Sequence, residues 1–353
     1  MRRDSVFLRR VAHGSLVLVL AAGMSSVVPS ASAGTLAASA PGHSAAPALR
    51  TADSGARITG EKWIDDTTVD LAVESPSVGA TEMVRVLVPK GWSRGAARTW
   101  PVVYAYQGGN DDYTSWVRGS QIVGLAAKWD VMVVMPSGGK NGGFADWWNY
   151  GQRGTPKWET FHMAEVMQLL ERNYRAGTNR AALGVSSGGQ GAIAYAARHP
   201  GTFRYAASFS GILHLTKPGL PWVLMIQGIP FDFDPFRVWG VPGWDDKNWK
   251  SYDPYELAER LRGTGLYISS GTTGLPGPYD KPLETPLQRN FLGAVGELIV
   301  GSTTTDFVAR LQQLGIPATT NVYGDGWHNW NYWKPELDKA WPLMMDAVGA
   351  GRV

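Results

Sequence analysis

Three short runs set the limits on what this chain can become: PVVYAY (101–106), VMVVMP (131–136) and AALGV (181–185). A strand turns successive side chains to opposite faces, so a run that is apolar at consecutive positions must be covered on both sides. That condition calls for a mostly parallel sheet with helices on each face. The intervening sequence supplies them. KWETFHMAEVMQLLERNY (157–174) carries apolar residues at helical spacing, and NYWKPELDKAWPLMMDAV (331–348) closes the chain as an amphipathic helix. TTVDLAVES (67–75) alternates polar with apolar, and EMVRVLVP (82–89) follows as its antiparallel partner. Further strands are expected at RYAASFS (204–210), GLYISSG (265–271) and PATTNVYG (317–324). With no internal repeat and no linker after residue 60, one doubly wound α/β domain over residues 57–353 accounts for the pattern. Residues 214–263, rich in Pro, Gly, Trp and Asp without a clean period, are the exception. They read as a cap-like insertion over the carboxyl edge of the sheet or as a surface excursion.

The first 33 residues read as a secretory signal. The basic opening MRRDSVFLRR precedes the apolar run SLVLVLAAGM, and Ala31-x-Ala33 offers a cleavage site. The apolar run is too short for a helix crossing a hydrocarbon core of ~30 Å, so no integral membrane span is expected. Its arginine pairs leave the export route open between the general secretory and twin-arginine systems. Residues 34–56, rich in Ala, Ser, Gly and Pro, are expected to be disordered. Residues 1–33 hold four of the 33 basic and one of the 30 acidic side chains, so the remainder is balanced in charge. A neutral surface does not attract polyanions, which argues against a nucleic-acid partner. There is no cysteine. A secreted chain without disulfides must be held by a large core, which this length permits, and it has no thiol to carry a lipid. The expected location is extracellular or in the cell envelope, without a covalent anchor.

Gly184-Val185-Ser186-Ser187-Gly188 falls between an apolar strand and the helical GGQGAIAYAARH, the strand–turn–helix setting of a nucleophile elbow in the α/β-hydrolase fold. In that turn the nucleophile has a strained backbone, and the residues two positions away must be small. Ser186 is then the nucleophile, and the Ser187 N–H points into an oxyanion hole. A serine hydroxyl needs a base. Of the six histidines, His13 and His43 precede the domain, His162 lies in a helix upstream, His199 ends the elbow helix and His214 follows the next strand. Only His328, in YGDGWHNWNYW, occupies the loop after the last strand where this fold delivers its base. Order alone leaves Asp280, Glu284, Glu297 and Asp306 as candidates for the orienting acid, whereas Asp325 reads as a turn residue. Gly108-Gly109, in the loop after PVVYAY, let a bare backbone approach the developing negative charge. Acidic clusters such as NDDY and WDD read as turns, and no histidine pair stands at ligand spacing, so neither metal nor cofactor is called for.

Over roughly residues 80–345 the chain resembles the antigen 85 mycolyltransferases, secreted α/β-hydrolase-fold acyltransferases of mycolate-bearing actinobacteria. The resemblance is carried by MPSGG (135–139), DWWNYGQ…KWETF (146–161), NDDYTSW (110–116), RHPGTFRYAASFSG (198–211) and HNWNYW (328–333). Esterase D-like carboxylesterases share the frame more loosely. The resemblance implies a Ser-Glu-His order with Glu297 as the acid, and Gly109 joining Ser187 in the oxyanion hole. It implies that Trp330 lies near the sugar and acyl groups. It also marks departures. Gln107 replaces an acidic residue that contacts trehalose, a neighbouring arginine has no counterpart, and His214 replaces a sugar-contacting aspartate. Gln107, Gly108, Trp147, His214 and Trp330 are therefore the expected substrate-binding positions, with Trp148, Trp239 and Trp244 also in segments that could rim the site.

These residues point to acyl transfer through a serine ester. The expected partners are an acyl-ester donor, lipid or glycolipid, and either a sugar or glycerol hydroxyl or water. Transfer to an alcohol makes an acyltransferase, and transfer to water makes a carboxylesterase. A third reading, a non-catalytic envelope or adhesion protein on a retained frame, follows from the fibronectin binding that the resemblance implies for some members.

Overall fold

The computed structural model describes residues 48–229, 233–280 and 291–353. Residues 1–33, expected to be a secretory signal, and residues 34–47 lie outside them. Nine strands form one mixed sheet: β1 (Arg57–Trp63), β2 (Thr68–Ser75), β3 (Ala80–Leu87), β4 (Trp100–Tyr106), β5 (Met132–Pro136), β6 (Ala176–Val185), β7 (Tyr205–Phe209), β8 (Gly265–Ser270) and β9 (Thr319–Val322). Their spatial order is β1-β2-β3-β5-β4-β6-β7-β8-β9. The pairings from β1 to β5 are antiparallel, and the five from β5 through β4 to β9 are parallel.

The apolar runs fill two cores by strict alternation. Val102, Tyr104 and Tyr106 face one core with Val134 and Ala182, under the helices Met167–Tyr174, Ser187–Arg198 and Phe291–Gln313. Val103 and Ala105 face the other with Val133, Leu183 and Val185, under the closing helix Trp330–Val348. This is the α/β-hydrolase arrangement, a helix-covered sheet whose central strands have no wet face.

The topology places the site. After β4 the chain crosses to one side to form β5, and after β6 it continues to the other. Because β4 and β6 are neighbours, the loops leaving their carboxyl ends diverge and leave a crevice between them. Tyr106 pairs with Gly184 across this boundary. Gln107–Gly109 and Val185–Ser187 therefore leave the sheet side by side.

One expectation changes at the amino-terminal side, for the last part of the stretch 34–56. Residues 48–56 were expected to be disordered, yet Ala52 and Ala56 are buried in the core. The Arg50 N–H donates to Asn173 Oδ1 at 2.7 Å, and Ser54 Oγ donates to Glu165 Oε1 at 2.7 Å. Composition describes the solubility of such a segment but not the polar sockets waiting for it. Residues 57–63 form β1, an edge strand with one buried residue in seven. The described residues of 214–263 include three α-helices, Leu220–Gly228, Pro235–Trp239 and Asp246–Tyr252, around a small core of their own that includes Leu224, Phe236, Trp239 and Trp249, and a short 3-10 helix Ala258–Leu261.

Candidate active site

At the end of β6 the backbone turns sharply at Ser186, whose φ is 56° and ψ −126°. A positive φ is strained for a residue with a Cβ and persists only where its surroundings hold it. Here the Ser186 N–H donates to Phe209 O at 2.9 Å, and Ser186 O accepts from Gln190 N at 3.1 Å. The flanking glycines have a measurable reason. A Cβ on Gly184 would lie 2.1 Å from the Gly188 backbone, and one on Gly188 would lie 2.3 Å from Gln107 O. Only bare backbone fits where strand, turn and helix meet the β4 loop.

Ser187 opens the helix Ser187–Arg198. The first N–H groups of a helix have no partner within it and sit at its positive end, so the Ser187 amide is a ready donor to an oxyanion. Gly108 and Gly109 line the same cavity, with the Cβ position of Gly108 3.5 Å from Ser186 Cβ and that of Gly109 3.6 Å from Ser187 Oγ. The structure thus brings Ser186, Ser187, Gly108 and Gly109 together.

His328 lies just ahead of the closing helix, whose N-cap is Asn329. Its Nδ1–H donates to Glu297 Oε2 at 2.7 Å. Glu297 is fully buried, and its Oε1 accepts from the Gly271 N–H at 2.6 Å and from Ser210 Oγ at 2.8 Å. Buried charge survives where hydrogen bonds replace water, and this carboxylate has them on both oxygens. Of the other acids weighed, Asp306 takes His214 and Lys217, at 2.9 and 2.7 Å, and Asp280 takes the Tyr332 hydroxyl at 2.7 Å. Glu284 lies outside the described residues. Partial burial works against ionised Asp306, but Lys217 and His214 outweigh it and hold its carboxyl below the ordinary range.

Sequence order missed two residues in this arrangement. The Trp333 indole N–H donates to Ser210 Oγ at 3.0 Å, and its ring stands edge-on to His328 with centroids 5.0 Å apart. Ser210 and Trp333 thus support both ends of the Glu297–His328 pair. Their only signal in sequence was position, at a strand end and inside HNWNYW.

Ser186 and His328 share a cavity of about 300 Å³. No hydrogen bond joins the Ser186 hydroxyl to the imidazole. Such contacts often tighten only when substrate is bound. The cavity wall is largely apolar. Phe144, Ile212, Leu215, Leu224, Phe233, Trp239 and Ile299 contribute to it, and Asn110, Lys140 and Asn141 supply polar groups. Leu215, Leu224, Phe233 and Trp239 come from the 214–263 segment.

The structure does not bring four of the expected substrate-binding side chains to this cavity. Gln107 is buried. Its amide donates to Asp111 O and Gly139 O, while its Oε1 accepts from the Gly138 N–H. It therefore joins the two loops beside the elbow. His214 stacks on Tyr255 with centroids 3.9 Å apart and lines a separate hollow with Lys217 and Trp222. Trp147 donates to Gly142 O and packs under Arg237. Trp330 packs edge-on against Trp116 and Trp333 and closes over Gly119. Their side-chain directions are set by packing that sequence order does not encode.

Fold and site together define a protein of the α/β-hydrolase fold whose cavity gathers a serine at a sharp turn and a histidine held by a buried carboxylate. The family described as "Putative esterase" matches residues 75–344, and the chain belongs to it. Among relatives, the esterase Rv1288 of Mycobacterium tuberculosis is 30% identical over 256 residues, which cover 69% of this chain and 52% of that protein. The chain thus spans about half the length of that relative. The diacylglycerol acyltransferase/mycolyltransferase Ag85B of Mycobacterium intracellulare is 29% identical over 291 residues, covering 79% of this chain and 83% of that one. Among solved structures, MPT51 of Mycobacterium tuberculosis superposes with a TM-score of 0.63 at 25% identity, covering 79% of this chain and 97% of that one.

Proposed function

We propose that the chain is a secreted serine acyltransferase that moves an acyl group from an ester donor to a sugar or glycerol hydroxyl. The observation that carries this reading is the hydrogen-bonded Glu297–His328 pair opening into the same apolar cavity as the strained Ser186. His328 Nε2 takes the Ser186 proton as Oγ attacks the ester carbonyl, and Glu297 stabilises the resulting imidazolium. The N–H groups of Ser187 and Gly109 hold the oxyanion, where losing one donor typically costs about 3 kcal/mol. The tetrahedral species expels the donor's alcohol, which leaves with the proton from His328, and the acyl group stays on Ser186. An acceptor hydroxyl then gives its proton to His328 and attacks the acyl-enzyme, restoring free serine. The 214–263 segment serves as the cap that supplies the acyl wall.

A second reading, a carboxylesterase that passes the acyl group to water, is favoured by two observations. Gln107 and His214 stand where the resembled family holds trehalose with acids, and both side chains are engaged away from the cavity. Turnover of a p-nitrophenyl ester with and without glycerol or a disaccharide separates the readings. Acylated alcohol supports transfer, and free acid alone supports hydrolysis. Ser186→Ala should lower kcat by at least ~10⁴-fold in either case. Unchanged turnover in that variant removes Ser186 from the mechanism.

A further inference from the structure

The helix Leu220–Gly228 has two apolar faces. Leu224 and Gly228 line the cavity beside Ser186, and Leu220 is buried in the local core. On the opposite side Trp222, Val223, Ile226 and Ile229 follow at helical spacing and are 54%, 37%, 69% and 72% exposed. Residues 220–229 contain no charged side chain. A surface helix ordinarily turns a polar face outward, so one whose outward face is apolar is short of a cover. Close by, Pro242 and Trp222 line one hollow, and two residues beyond Pro242 the Trp244 side chain is 87% exposed. Tryptophan is seldom so open in a protein surrounded only by water, but it suits the boundary between lipid and water.

From this we infer that the outer face of Leu220–Gly228 docks on the surface of a phospholipid bilayer, with Trp222 and Trp244 at the headgroup boundary. Two features favour lipid over a protein partner. Residues 220–229 offer no charged group, whereas a protein interface rings its apolar centre with a polar rim. The inner face of the same helix is also part of the apolar wall of the cavity, which puts the proposed membrane contact one helix thickness from the site. The inference rests on the proposed acyl-ester reading for its purpose but not for its test. Among the described residues no helix is long and apolar enough to cross a membrane, so the contact is peripheral.

The test is co-sedimentation of the protein with phosphatidylcholine vesicles, alongside turnover of soluble p-nitrophenyl acetate. Binding should persist as salt rises from about 0.05 to about 0.5 M, because no charge drives it. I226S/I229S should weaken vesicle binding at least tenfold with melting temperature and acetate turnover unchanged, since neither side chain lines the cavity. Trp244→Ser provides a second, independent loss of binding. Failure of the unsubstituted protein to sediment, or equal sedimentation of both variants, overturns the inference. So does a dimer in gel filtration that I226S/I229S dissolves without any vesicle binding, which would assign the face to a protein partner. Vesicle binding without acetate turnover in the unsubstituted protein sinks the catalytic reading and leaves this one standing.

Discussion

At the scale of single residues, the site is a chain of hydrogen bonds. Trp333 donates to Ser210, Ser210 to Glu297, and His328 to the other oxygen of the same carboxylate. Each donor fixes the next group, so the imidazole presents its Nε2 side to the cavity in a single tautomer. Glu297→Gln keeps the volume but offers an amide, which cannot both accept from His328 Nδ1–H and stabilise an imidazolium. Its kcat on p-nitrophenyl acetate should fall on the order of 10⁴-fold while the circular dichroism spectrum is unchanged. A fall of less than tenfold would show that the acid acts elsewhere. The turn at Ser186 was legible because an elbow imposes small residues at fixed offsets, and the place of His328 beside it because only one histidine follows the last strand. Which carboxylate meets His328 was not legible from residues alone, since four satisfied the same order. Nor were the roles of Gln107 and His214, whose side chains turn toward loop carbonyls and toward Asp306 for reasons of packing.

Elements were legible to the extent that one periodicity governed them. Consecutive apolar residues marked β4, β5 and β6 because burial on both faces leaves no room for polar side chains. β1 escaped notice because an edge strand buried at one position in seven leaves almost no pattern. The helix Leu220–Gly228 escaped for the opposite reason, being apolar at all but one or two positions, so that no period stands out. The most consequential local feature is the π-helical turn Phe161–Val166, which continues into the helix Met167–Tyr174. It delivers Glu165, fully buried, to three serines. Ser54 and Ser77 donate to Oε1 at 2.7 Å, and Ser75 donates to Oε2. One carboxylate thus ties residues 48–56 and the turn between β2 and β3 to the helix layer. Glu165→Ala would leave several buried hydroxyls without an acceptor and should destabilise the fold by roughly 3 kcal/mol. Urea unfolding followed by circular dichroism measures this. Turnover of the folded variant should be retained, because Glu165 does not line the cavity, and unchanged stability would show that the serines find other acceptors.

For the molecule as a whole, a core without disulfides makes stability depend on how buried polar groups respond to conditions. His162 sits among Tyr106, Phe144, Trp158, Phe161 and Tyr195, with Nε2–H donating to Ser137 O and Nδ1 accepting from the Tyr195 hydroxyl. Burial disfavours its charged form and lowers its pKa from 6.5 to about 4. Glu159 lies on the same helical segment. Burial would raise its pKa, but hydrogen bonds from His199 and Arg198 and their charges outweigh that and hold it below 4.5. Between pH 6.5 and 4 the unfolded chain binds a proton on His162 that the folded protein does not. The stabilisation from neutral His162 is therefore complete above about pH 6.5 and declines as pH falls, by up to about 3 kcal/mol. Glu159 adds to the loss only below 4.5, where the unfolded carboxyl takes up a proton first. Stability should thus erode in two steps on acidification, beginning well above the carboxylate range. His162→Gln lowers stability at pH 7 by removing one of two hydrogen bonds, yet it should flatten the decline between pH 7 and 5. Urea midpoints of both proteins across that interval measure the effect. Parallel declines would mean that the early step belongs to another group.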